Sequence, residues 1–152
     1  MTAEDWLWND SSIPDEEVLY RRALKTGQVT WDAEADCYRP NKAAFSRKAN
    51  EGLSTHADSL LKVRGRKPHS LYNAEKYTAF GFEVAAVRQI PEAGVIYVEA
   101  LEEHEKDPDL RFAHAEVRPI DPAKQKPLWN RIRDSITRNA QWVPQENQGC
   151  NQ

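Results

Sequence analysis

Cysteine is scarce: the 152 residues hold two, Cys37 and Cys150, and neither stands in a CxxC or another metal-type spacing. That excludes a cysteine-ligated zinc module and a disulfide-dense scaffold. It predicts two free thiols in a reducing compartment, and hence a cytoplasmic protein. Long apolar runs are missing as well. No stretch approaches the roughly 18 apolar residues that a membrane helix requires. The start, Met1-Thr2-Ala3-Glu4-Asp5-Trp6, is acidic and has no apolar segment, so no signal peptide is expected. Neither sign of charge dominates: 21 basic and 24 acidic residues leave a net charge of −3, which weighs against a dedicated nucleic-acid binder. The chain contains no P-loop, GxGxxG, HExxH or GxSxG motif and no internal repeat, which removes the readily recognised NTPases, Rossmann enzymes, zinc proteases and α/β-hydrolases.

What the chain does contain is aromatic surface: five Trp, five Tyr and four Phe, sufficient for a core. The length suits one domain, expected over residues 1–143. Trp6 and Trp8 predict that residues 1–12 dock on that domain as an arm. The Gln/Asn-rich residues 144–152 read as a disordered tail.

Along the chain, Ser12-Ile13-Pro14-Asp15-Glu16-Glu17 carries a helix-start signal. The following Val18–Leu24 fits either a short helix or a strand. Residues 25–40 read as loop and edge structure, with a turn at Trp31–Asp36 and an extended exit into Pro40. Asn41 caps a short turn through Phe45. Ser54 or Thr55 caps a helix over 56–61, and Arg64–Pro68 is a basic loop. Asn73 caps a helix over 74–80 that Gly81 ends. A hairpin is expected from strands over 82–90 and 95–100, joined at Pro91–Gly94. An acidic loop over 102–109 and a strand over 112–117 follow. The last helix spans about 122–139, with Leu128, Ile132 and Ile136 on one stripe and Trp129 beside it. Short connections imply an antiparallel sheet, and the fold class is α+β with helices packed on a small sheet.

Four places could carry chemistry. His114 lies mid-strand between two alanines, where it can act as a general base or sit as a satisfied core histidine; Glu116 follows on the same face. The Tyr20-Arg21-Arg22 step would place an arginine on a strand, where it needs a protein carboxylate or a phosphate. Ser54 and Thr55, after Gly52, offer hydroxyls at a helix start for an anion or ribose, or serve as an ordinary N-cap. Arg39 joins these as a ligand-binding candidate. The acidic surroundings of His104 are read as a solvated loop, so no metal site is expected. Lys124, Arg131, Arg133 and Arg138 near Trp129 could meet nucleic-acid phosphates, or form a solvated face.

The steps Ile13–Arg22, Arg39-Pro40-Asn41-Lys42-Ala43-Ala44-Phe45, Gly52-Leu53-Ser54 and His114-Ala115-Glu116-Val117 resemble a family of small uncharacterised bacterial proteins, a likeness that covers most of residues 13–118 and implies no activity. Leu19-Tyr20-Arg21 and Leu53-Ser54-Thr55 also resemble the first two strand motifs of ADP-ribosyltransferase-type domains. That likeness implies NAD as a cofactor or substrate, an arginine on its phosphates, and a catalytic glutamate for which Glu99 and Glu116 compete.

Three functions follow, in order. The first is a non-catalytic accessory protein docking on a protein partner through Trp129 and Trp142. The second is a small nucleotide- or NAD-using enzyme. The third is a nucleic-acid-binding module on the last helix.

Overall fold

The computed structural model describes residues 6–123 and 126–144. Strands β1 (Val18–Leu24), β4 (Leu53–Ala57), β5 (Tyr77–Glu83), β6 (Ala93–Tyr97), β7 (His114–Pro119) and β8 (Gln141–Val143) form one six-stranded sheet in the order β6-β7-β4-β1-β5-β8. Every neighbouring pair is antiparallel. Strands β2 (Val29–Asp32) and β3 (Cys37–Pro40) make a separate hairpin. The helices are α1 (Asp58–Val63), α2 (Val84–Arg88), α3 (Pro108–Ala113) and α4 (Lys126–Asn139), with one-turn 3-10 helices at Lys42–Phe45 and Pro68–Leu71. The fold class is α+β, with α4 packed against the sheet and followed by the edge strand β8.

Alternation along the strands gives the sheet two unlike faces. The inner face carries Leu19, Ala23, Leu53, Ala57, Phe80, Phe82, Ala115 and Val117, and it packs on Phe45 and on Leu128, Trp129, Ile132 and Ile136 of α4. The apolar stripe of α4 is therefore what seals the main core. The outer face is more polar. Tyr20 packs there with Leu61, Leu71, Leu110 and Ala113 in a second, smaller cluster under α1 and α3. Trp6 is buried and donates its indole N–H to the Pro119 carbonyl at 2.8 Å, and Asp10 N–H bonds the carbonyl of Val95 on β6.

Several local expectations change. Val18–Leu24 is a strand. Asn41 does cap the 42–45 turn, accepting from Ala43 N–H at 2.9 Å. Asn73 accepts from Glu75 N–H, but the turn it makes leads into β5 and not into a helix. Aromatic and small residues of Tyr77–Glu83 fill a strand buried on both faces, and this burial outweighs the helix-cap signal. Gly81 does not end a helix; it sits mid-strand against Tyr20, where an added Cβ would meet the ring at 3.1 Å. The strand expected over 82–90 is largely α2, and 108–113 forms α3 where loop and strand were expected. Neither Ser54 nor Thr55 caps α1. Glu17, from the segment read as a helix start, does so from a distance, accepting from Ser59 N–H at 3.1 Å.

Cys37 is buried and disulfide-bonded, so the expectation of a free thiol there is overturned, and the argument for a reducing compartment falls with it. Among the described residues no helix is long and apolar enough to cross a membrane. The tail expected to be disordered, Lys124 and the first five residues of the arm lie outside the described residues, apart from Pro144.

Candidate functional site on the outer face of the sheet

Strand register gathers some of the candidate residues and separates others. His56 on β4 stands opposite both His114 on β7 and Tyr20 on β1, and Ser54 stands opposite Glu116. Directly opposed residues share a face, as do residues two apart on one strand. Ser54, His56, His114, Glu116, Tyr20 and Arg22 therefore all belong to the outer face.

The closest polar contact among them joins Ser54 and His114. Ser54 Oγ lies 3.1 Å from His114 Nε2, and His114 Nδ1 lies 2.8 Å from the Val98 carbonyl oxygen. A carbonyl can only accept, so Nδ1 carries the ring proton. In the neutral ring Nε2 is then a lone-pair acceptor, to which the Ser54 hydroxyl can donate. The chain ends in an exposed serine hydroxyl, while the imidazole is 9% exposed. The hydroxyl, the ring and the carbonyl are spaced as the three groups of an activated serine are, with a backbone carbonyl in the place of the usual carboxylate.

His56 lies beside this couple. Its ring is edge-on to that of His114, with centroids 6.2 Å apart. It is 5% exposed, and its Nδ1 is buried with no hydrogen-bond partner among the described residues. Burial, reinforced by the charge of Arg22, drives its pKa down to about 3, so the ring is neutral at physiological pH. Arg22 is half-exposed. It approaches Glu105 at 3.6 Å and donates weakly to the Leu71 carbonyl at 3.5 Å, contacts too long to hold its guanidinium in a fixed fork.

The other candidates have settled roles. Arg21 points to the inner face, where its Nε and one terminal nitrogen donate to the carbonyls of Ala44 and Ser54, each at 3.0 Å. Burial lowers its pKa to about 10, and the neighbouring charge of Arg22 adds to the effect. It is a strut across the β1–β4 seam, on the opposite side of the sheet from His114. Thr55 also faces inward and donates to the Ala115 carbonyl at 2.9 Å. The Tyr20 hydroxyl donates to Asp58 at 2.8 Å, and burial followed by that carboxylate raises its pKa. Glu116 accepts from Arg118 at 2.9 Å, and Arg118 in turn stacks on Trp6 at 4.2 Å and donates to the Leu7 carbonyl. Glu116 thus stands beside Ser54 with its charge matched by Arg118. Arg39 is paired with Asp32 at 3.3 Å on the β2–β3 hairpin, outside this group.

The two tryptophans assigned to partner docking are occupied within the protein. Trp129 is 6% exposed and donates to the Phe45 carbonyl, and Trp142 donates to Thr78 and packs edge-on against Trp31 and Tyr38. The basic residues of α4 do not form one stripe. Arg131 and Arg138, seven apart, share one side of the helix, with Arg131 3.8 Å from Glu92, while Arg133 lies on another side with Lys126 and Asn130.

His56 and the Val98 carbonyl were not legible as site members in the sequence. The signal for His56 was its spacing of two from Ser54, which carries meaning only if 53–57 is a strand. The residues define an antiparallel α+β domain bearing a serine–histidine couple on one sheet face. No family model, curated protein or solved structure matches the chain.

Proposed function

We propose that the protein is a small hydrolase- or transferase-type enzyme acting on a phosphate-bearing substrate, with a nucleotide as the leading candidate; Arg21, the arginine that the ADP-ribosyltransferase likeness would set on NAD phosphates, lies on the other face of the sheet. The observation that carries this reading is the bonded series Ser54 Oγ–H to His114 Nε2 and His114 Nδ1–H to Val98 O. In the reaction, Ser54 Oγ attacks the electrophilic centre while its proton passes to Nε2. The leaving group recovers that proton from Nε2. Water, or an acceptor hydroxyl, is then deprotonated by the same nitrogen and releases the product from Ser54. Arg22, weakly held and on the same face, takes the substrate phosphate. His56 adds a neutral wall beside the base; a charged imidazole there would oppose protonation of His114.

The test is turnover of nucleotides, NAD among them, followed by chromatography of the products. Ser54→Ala and His114→Gln are expected to reduce turnover by about 10²- to 10⁴-fold with the fold intact by circular dichroism. Arg22→Gln is expected to raise KM more than it lowers kcat. Turnover that survives Ser54→Ala removes the reading.

A further inference from the structure

A second polar centre lies on the far side of the sheet, between the segment after the 42–45 turn and the start of α4. A cavity of about 310 Å³ is lined there by Ser46, Arg47, Lys126, Trp129, Asn130 and Arg133, with no carboxylate on its wall. Lys126, Asn130 and Arg133 follow one another on a single side of α4. The guanidinium of Arg47 lies over the Trp129 ring at 5.1 Å. It is fixed by donating to the carbonyls of Lys48, Glu51, Pro122 and Ala123. Arg133 is steadied by Asn130 Oδ1 at 2.8 Å and more loosely by Ser46 Oγ at 3.4 Å.

Two details show an electrostatic deficit. The Nε–H groups of both Arg47 and Arg133 are buried without an acceptor among the described residues, an uncommon state for a native polar group. The carbonyls around Arg47 supply partial charges only, and Asp121 acts on it through space. Lys126 forms no ion pair among the described residues, and the nearby Asp134 is taken by Lys42 at 3.2 Å. Three cations thus converge on one hollow whose lining, among the described residues, offers no anion.

We propose that this cleft binds the phosphate group of a small molecule, with Lys126 and Arg133 as its direct donors and Arg47 as a fixed positive charge behind them. A phosphate dianion matches three cations better than a singly charged carboxylate does. The Arg133 fork suits two phosphate oxygens, and the cavity leaves room for the ester substituent. Because one face of Trp129 is covered by Arg47, the indole serves as an apolar wall and not as a platform for a stacked base. This site is independent of the Ser54–His114 couple.

The test is binding of inorganic phosphate and glycerol phosphate to the full chain, read by ³¹P NMR line broadening and by the thermal midpoint against chloride at matched ionic strength. The midpoint is expected to rise with either phosphate. Lys126→Gln and Arg133→Gln, both at the helix surface, should each weaken binding about tenfold while leaving the circular dichroism unchanged. The proposal is overturned if the variants bind as the native chain does, or if acetate gives an equal shift. It is also overturned if phosphate has no effect and only a single-stranded oligonucleotide binds.

Discussion

Lowering the pH from about 7.5 to about 5 should destabilise this protein through one residue, His56. Its ring is 5% exposed, and its pKa falls from an ordinary 6.5 to about 3, chiefly by burial and then by the charges of Arg22, His114 and Arg21, with Asp107 opposing them. In the unfolded chain the same imidazole takes up a proton near its ordinary value. Between those limits the unfolded state binds more protons than the folded one, so stability is complete above about pH 6.5 and declines as the pH falls. At pH 5 the expected loss is about 2 kcal/mol, from roughly 1.4 kcal/mol for each pH unit below 6.5. Asp10, Asp32 and Asp107, whose pKa values are lowered from 3.8, affect stability only at more acidic pH. Urea unfolding followed by tryptophan fluorescence at several pH values measures the slope. His56→Gln, which cannot titrate, should flatten it. A native stability that stays constant from about pH 7 to pH 5, or a slope that persists in the variant, would refute the reasoning.

Packing supplies further expected outcomes. Ile136→Ala in α4 removes a fully buried side chain from the main core and should cost about 2–5 kcal/mol by urea unfolding. Gly81→Ala forces a Cβ against the Tyr20 ring at 3.1 Å and should cost about 1–3 kcal/mol by the same measurement. Thr55→Val leaves the Ala115 carbonyl without the hydroxyl bond it accepts inside the sheet; a loss of about 1–2 kcal/mol is expected, with no change in turnover.

Legibility followed the strength of the periodic signal. The i, i+4 stripe of Leu128, Ile132 and Ile136 defined α4, because that pattern fits only one face of a long helix. The Asn41 turn was likewise local chemistry and appears as read. The segment 73–90 was inverted, with a helix expected where β5 lies and a strand where α2 lies. Asn73 and Gly81 are punctuation residues whose meaning depends on tertiary context. Asn73 makes an isolated turn, and Gly81 is present because Tyr20 crosses close above it. The site was half legible. Ser54, His114 and Arg22 could be singled out as residue types, and the sheet does place them on one face. Arg21 and Thr55 could not be distinguished from them without the register, since a shift of one residue moves a side chain to the opposite face. The Val98 carbonyl had no signature at all, because any residue type supplies one.

The proposed reaction stands on His114 making Ser54 a nucleophile. Reaction of the native protein with a fluorophosphonate, read by intact mass and peptide mapping, tests it most directly. A single adduct on Ser54 is expected, slowed strongly by His114→Gln and unaffected by Thr55→Val. Labelling of another residue, or none at concentrations that modify ordinary serine hydrolases, would contradict it.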